Sequence, residues 1–261
     1  MESLYVIKIG GNIIDDELLL TTFLKKFAAI NSNKILIHGG GKLATRMAEK
    51  MGIPQQMIGG RRITDAETLK IVTMVYAGYI NKNIVAQLQS IQCNAVGISG
   101  ADGNSMLAHK REKEGIDYGF AGDIDQVNSA WLIQLLINGS TIVFAPITHD
   151  GKNQLLNTNA DTIAQEIAKA LSNFFEVTLV YCFEKPGVLM DIEDEKSVIQ
   201  NLYKGYYKEL KESNKIFAGM IPKLDNAFTA IHQGVHQVII GKGEELDQLI
   251  TGLSGTTISH E

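Results

Sequence analysis

The chain has 261 residues, 45% apolar and 20% charged, with 24 basic against 29 acidic side chains and a net charge of −5. That length suits one large α/β domain or two lobes around a cleft, and mild acidity without a basic run argues against nucleic acid or an anionic membrane as the main partner. No apolar stretch reaches the roughly 18 residues that span a bilayer. MESLYVIK at the start lacks a signal-like core, and Cys93 and Cys182 sit in apolar runs as buried free thiols would, so a cytoplasmic protein is expected.

In chain order, short apolar runs alternate with helix-like patterns. Strands are predicted over 4–9, 35–38, 94–98, 141–145, 177–182 and 236–241. Helices are predicted near 16–30, 42–51, 65–90, 128–138, 160–172, 202–213 and 221–233. This alternation predicts βαβ units and a mostly parallel sheet. Asp65 with Thr68, and Asn159 before Ala160, mark helix starts. Gly52, Gly139 and Gly234 mark stops. The long 65–90 pattern is expected to break near Gly78. Segments 54–64 and 105–125 are polar and glycine-bearing, and read as hairpins or lids over a cleft. There is no internal repeat and no Pro/Ser-rich linker, so two lobes would have to share one continuous sheet.

The chemistry-bearing signal is glycine beside lysine at strand ends. YVIKIGGN at 5–12 is an apolar run carrying Lys8, then Gly10 and Gly11. ILIHGGGK at 35–42 runs into Gly39, Gly40 and Gly41, and GMIPK at 219–223 places Lys223 after another glycine. Consecutive glycines expose backbone N–H groups that can receive phosphate or carboxylate oxygens. Two such nests with two lysines suit one polyanion meeting another, as phosphoryl transfer requires. The familiar scaffolds for that reaction do not fit. Leu43 stands where a P-loop needs Ser or Thr, and Leu36 where it needs glycine. GISGADG at 97–103 lacks dinucleotide-fingerprint spacing. His232 and His236 are separated by Gly234, which suits a helix end and a strand entry better than a metal pair, and no metal site is expected. GxSxG and the protein-kinase loops are absent.

YVIKIGGN, ILIHGGGK, RRITDAET, NKNIVAQL, GISGADGN, NTNADTIAQEIAKAL, KPGVL and GMIPKL follow, in order, the pattern of the N-acetylglutamate kinases. The chain resembles that family, of the amino-acid kinase superfamily, from about residue 4 to its end. The resemblance implies an open three-layer αβα sandwich around a central, mainly parallel sheet, as a single domain over 1–261. A lobe over about 1–173 would bind the acyl-amino acid and dimerise, and a lobe over about 174–261 would bind ATP.

The implied reaction is ATP-dependent phosphorylation of the γ-carboxylate of N-acetyl-L-glutamate in arginine biosynthesis. That nucleophile is already ionised at neutral pH (side-chain pKa ~4.3), so no general base is needed. The resemblance gives Lys8 and Lys223 the role of neutralising charge on the moving phosphoryl group, with Asp161 orienting both. It assigns Gly10 and Gly11 to the transferring or β-phosphate and Gly40 and Gly41 to the γ-carboxylate. Arg62 would grip the α-carboxylate, and Asn157 would bind the α-carboxylate or the amide. The nucleotide lobe maps onto Glu184, Gly187, Phe217, Gly219 and Met220. Magnesium would be held mainly by the ATP phosphates.

The chain departs from the family pattern at three places. Arg61 replaces the leucine of GLRVTD, Ala101 the lysine of SGKDG, and CFEKPGV stands for TDVPGV with Glu184 in the aspartate's place. A succinyl group carries one more carboxylate and needs one more cationic partner, and Arg61 is an extra cation in that neighbourhood, so an N-succinyl-L-glutamate kinase is the alternative. Alternation along an extended segment would instead point Arg61 to solvent, which is the expectation adopted. Another kinase of the superfamily and a non-catalytic amino-acid sensor are further alternatives. Only three residues precede the first strand, which leads to the expectation of a homodimer rather than a hexamer, joined through helix 65–80, with little inhibition by L-arginine.

Overall fold

The computed structural model describes residues 1–59, 61–113, 115–213, 215–216 and 220–260. The first half runs β1 (Ser3–Ile9), a short α1 (Gly11–Ile14), α2 (Glu17–Ala28), β2 (Asn33–His38), α3 (Gly41–Lys50) and a hairpin of β3 (Gln56–Ile58) and β4 (Arg61–Ile63). Next come α4 (Ala66–Thr73), a π-helical stretch Met74–Ile80, α5 (Asn81–Ser90), β5 (Ala95–Ile98), β6 (Met106–Lys113) and β7 (Ile116–Val127). The second half holds α6 (Ser129–Ile137), β8 (Thr141–Phe144), β9 (Ile147–His149), β10 (Leu155–Thr158), α7 (Ala160–Leu171) and β11 (Glu176–Phe183). It closes with β12 (Asn201–Leu202), α8 (Lys204–Glu212), α9 (Ile221–His232), β13 (Gln237–Lys242), α10 (Leu246–Ile250) and β14 (Thr256–Ser259).

Eight strands form one sheet in the order β12-β14-β13-β11-β1-β2-β8-β5. From β13 to β5 every neighbouring pair is parallel, and only the β13–β14 step is antiparallel. Parallel strands buried on both faces need continuous apolar runs, which ILIH and TLVYC supply. Alternate side chains divide between two cores. Leu4, Val6, Leu179 and Tyr181 join α6, α7, α8 and α9 on one face. Ile7, Ile9, Val180 and Cys182 join α2, α3, α4, α5 and α10 on the other. The central β1–β11 pair joins the two halves of the chain without a break, as the missing linker required.

The predicted starts and stops hold. Asp65 caps α4 through Thr68 N at 2.7 Å, and Asn159 caps α7 through Asp161 N at 2.9 Å and Thr162 N at 3.1 Å. Gly52, Gly139 and Gly234 follow α3, α6 and α9 with φ of 71°, 75° and 100°, which side chains rarely adopt. His232 ends α9, and His236 stands just before β13.

The 65–90 helix differs from expectation. It does not break at Gly78; it widens into the π-helical stretch and continues. The wider register accommodates the residue that would otherwise have forced a kink. Segment 54–64 is a hairpin, as read. Segment 105–125 is more than a hairpin: β6 and β7 close a small barrel with β9 and β10, whose three- and four-residue runs were too short to carry a period-2 signal. No helix among the described residues is long and apolar enough to cross a membrane.

Candidate active site

The site lies at the carboxyl ends of β1, β2 and β11, where open parallel sheets bind ligands. Lys8 is on the same face of β1 as Leu4 and Val6, the face covered by α7 and α9. Asn159 fixes the start of α7, so Asp161 in its first turn reaches Lys8: Nζ stands 2.7 Å from Oδ1, at ion-pair distance though off hydrogen-bond alignment. Lys223 enters from the first turn of α9. Burial pushes its ammonium below the ordinary lysine range, Asp161 pulls it back up, and Lys8 pushes it down again. The three predicted charges therefore form one cluster with a net positive charge of about one.

Two cavities meet there. One, of about 250 Å³, is lined by Lys8, Gly10, Gly11, Gly40, Arg62 and Asp161 among others, including Gly41 and Asn157. The second, of about 340 Å³, is lined by Gly10, Gly11, Lys42, Phe183, Glu184 and Lys223, with Gly187 and Met220. Gly10 and Gly11 belong to both. The structure thus brings together every predicted site residue except Phe217 and Gly219, which lie outside the described residues. The second cavity combines three cations, Lys42, Lys185 and Lys223, with the apolar surface of Phe183, Met220 and Ile240. Ala101 lines neither cavity.

The glycine loop after β2 is shaped by what presses on it. Gly40, at φ 143°, cannot carry a Cβ without colliding with Ile80 Cδ1 and lying 3.1 Å from Tyr76 Cδ1, both from the π-helical stretch. Beneath the loop His38 is fully buried. Its Nδ1 lies 2.8 Å from Gly39 O, and its Nε2 lies 3.3 Å from Asn81 Nδ2, which also donates to Val143 O at 3.0 Å. A neutral ring donating from Nδ1 and accepting at Nε2 satisfies both contacts. Burial, helped by the nearby Lys82 ammonium, pushes His38 down to about 4.

Arg62 is 7% exposed and donates to Gly41 O and Thr45 Oγ1, each at 2.9 Å, and to Gln55 Oε1. It clamps the start of α3 and also lines the first cavity. Asn157 sits on β10, and its Nδ2 donates to Thr64 Oγ1 at 3.0 Å. Glu184 is exposed, 4.0 Å from Lys42.

Arg61 does not point to solvent. Its side chain is 28% exposed, lines the first cavity, and lies 4.0 Å from Asp123. The twist of a three-residue strand lets neighbours share one cavity, so strict alternation misplaced it. Arg111 pairs with the same Asp123 at 2.7 and 3.0 Å, and its Nε is buried without a partner. Burial, then the Arg111 charge, lowers the Arg61 pKa. Tyr76, Phe183 and Arg111 were missed in the sequence. Tyr76 sits in an ordinary helical apolar pattern, and Arg111 in a polar hairpin, so neither carried a local signal.

An amino acid kinase family model matches residues 3–242 of the chain. The acetylglutamate kinase of Cytophaga hutchinsonii is 60% identical over 251 residues, covering 96% of this chain and 95% of that protein. The acetylglutamate kinase of Phocaeicola vulgatus is 52% identical, covering 98% of each. Among solved structures, carbamate kinase from Giardia lamblia bound to AMP-PNP superposes with a TM-score of 0.71 at 13% identity, over 100% of this chain and 99% of that one.

The buried His38 links folding to pH. Its folded-state pKa lies below the ~6.5 of an exposed histidine, so the unfolded chain binds the extra proton first and stability falls as pH drops from about 6.5 to about 4. The loss should be roughly 3 kcal/mol at about 1.4 kcal/mol per pH unit. Urea unfolding of the wild type and a His38→Gln variant at pH 7 and pH 4.5 checks this: the wild type should lose more on acidification, and equal losses would contradict the assignment.

Proposed function

The chain belongs to the amino acid kinase family, within which it groups with the acetylglutamate kinases, and from that premise we infer that it transfers the terminal phosphoryl group of ATP to the γ-carboxylate of N-acetyl-L-glutamate, a step of arginine biosynthesis. The observation that carries this reading is the junction itself. Two cavities share Gly10 and Gly11, and Lys8, Asp161 and Lys223 cluster where they meet.

In this reading the lobe over 1–173 holds the acyl-amino acid and the lobe over 174–261 holds ATP. Arg62 and Asn157 would receive the α-carboxylate and amide, and the start of α3 at Gly40 and Gly41 would receive the γ-carboxylate. A γ-carboxylate oxygen attacks the terminal phosphorus, the bond to the bridging oxygen breaks, and ADP leaves with that electron pair. No proton has to move. Lys8 and Lys223 would meet the equatorial oxygens as charge spreads over them, and Asp161 would hold Lys8 in place. Glu184, Gly187, Phe217, Gly219 and Met220 would border the nucleotide. Mg²⁺ carried on the ATP phosphates would supply further charge neutralisation when bound.

A second reading, transfer to N-succinyl-L-glutamate, is favoured by one feature. Arg61 and Arg111 share the single carboxylate of Asp123 beside the cavity, leaving one positive charge in excess. An acetyl methyl group needs no cation; the distal carboxylate of a succinyl group does. We also propose a homodimer joined through the N-terminal lobe, where Met51, Met57, Ile58, Met74 and Tyr79 are exposed.

An ADP-release assay comparing N-acetyl-L-glutamate, N-succinyl-L-glutamate, carbamate, aspartate and UMP should give turnover with an acyl-glutamate and little with the rest; preference for any other acceptor would overturn the reading. Lys8→Ala and Lys223→Ala should each lower kcat by about two to three orders of magnitude, the usual cost of one preorganised transition-state contact. Retention of a tenth of the activity would remove the residue from that role.

Arg61→Leu should abolish any activity on the succinyl substrate while sparing the acetyl one; an equal effect on both would discard the second reading.

Light scattering should return twice the protomer mass, and a monomer or hexamer would refute the dimer.

A further inference from the structure

Lys223 and Lys8 are held very differently. Lys8 has the Asp161 carboxylate at 2.7 Å. No carboxylate among the described residues stands at ion-pair distance from Lys223. Its close partner is the ring of Phe183, whose centroid lies 3.7 Å from Nζ. The Lys8 ammonium is 5.7 Å from the same centroid. Both distances fall within the ~6 Å over which an aromatic quadrupole attracts a cation. Phe183 is the last residue of β11, on the same face as Tyr181, and the two rings stack at 6.0 Å with an interplanar angle of 13°. Tyr181 is the register partner of Lys8 across the β1–β11 pair, and its hydroxyl donates to Asp161 O at 3.3 Å. A two-ring ladder thus runs from the backbone of Asp161 to the ammonium of Lys223.

We propose that Phe183 is a positioning residue that seats Lys223 for phosphoryl transfer. The physical problem is to hold two ammonium groups near each other, partly desolvated, before any anion arrives. A second carboxylate would hold Lys223 but cancel its charge and repel the incoming phosphates. An aromatic face attracts the ammonium without carrying net charge. The cluster keeps its excess positive charge for the moving phosphoryl group, and Lys223 does not have to be drawn out of an ion pair in each turnover. The ring is itself stacked on buried Tyr181, which gives the seat a backing. The inference rests on the kinase reading for its kinetic consequence but not for its geometry.

The test uses the full-length enzyme with Phe183→Leu, Phe183→Tyr, and 3,4,5-trifluorophenylalanine placed at 183, which keeps the ring's shape and removes its negative face. Phe183→Leu and the trifluoro variant should lower kcat by about threefold to thirtyfold, the range expected for one cation–π contact, with KM for ATP changing less than about twofold. Phe183→Tyr, which keeps the aromatic face, should lose less kcat than either of them. Wild-type kcat in the trifluoro variant, or a KM effect as large as the kcat effect, would reduce Phe183 to a lining residue and overturn the proposal. Proton NMR of the unliganded enzyme gives a readout independent of turnover. The ε-methylene signal that disappears in Lys223→Arg should be shifted upfield by the ring in the wild type and return to the ordinary lysine position in Phe183→Leu. An unshifted signal in the wild type would overturn the seat itself. Inactivity of the wild type on every acceptor, with the shifted signal present, would instead fault the kinase reading.

Discussion

The ion pair between Lys8 and Asp161 sets the terms for the rest of the structure. Its two members come from the central strand β1 and the first turn of α7, residues far apart in sequence, and each is partly withdrawn from water at the crevice. Such a pair survives only if both backbones are rigid, because the attraction must offset desolvation and any slack forfeits it. The eight-stranded sheet supplies one side through the pairing of β1 with β11 and β2. The Asn159 cap, a contact worth ~1 kcal/mol, supplies the other by fixing where α7 begins.

The glycine loops solve a complementary problem. An anion site made of backbone N–H groups needs the chain to come close to its ligand with nothing in between. At Gly40 the neighbouring Ile80 and Tyr76 leave no room for a Cβ. His38 and Asn81 hold the loop from below through polar contacts in an otherwise apolar layer. The loop is therefore clamped from two sides, with Arg62 closing a third through Gly41 O. The first cavity is therefore fixed on three sides by packing within the chain itself.

Most of this was legible in the sequence, for a physical reason. Parallel strands buried on both faces leave dense apolar runs. Consecutive glycines beside a lysine weaken a strand end unless they receive an anion there, so Lys8, Gly10, Gly11, Gly40, Gly41 and Lys223 stood out. Asn159 and Asp65 were visible because capping is local. What stayed hidden depends on packing between distant segments. The placement of Arg61 follows from the twist of a short hairpin over the cavity. Arg111 matters only because β6 and β7 fold into a barrel beside it. Phe183 looks like one more apolar residue at the end of a strand until α9 brings Lys223 over its face.

The π-helical stretch Met74–Ile80 sets the bearing of several side chains at once. Tyr76 and Ile80, which press on Gly40, lie within it, and Asn81, which reaches His38, follows it directly. An α-helix advances the azimuth by about 100° per residue, and the wider π turn, with its longer hydrogen-bonded loop, advances it by less. Tyr76, Ile80 and Asn81 therefore present a different angular spread from the one an unbroken α-helix would give them. The shape of the first cavity is thus written partly in helix pitch, and a chain with the same side chains on a uniformly α-helical stretch would turn a different face to the loop.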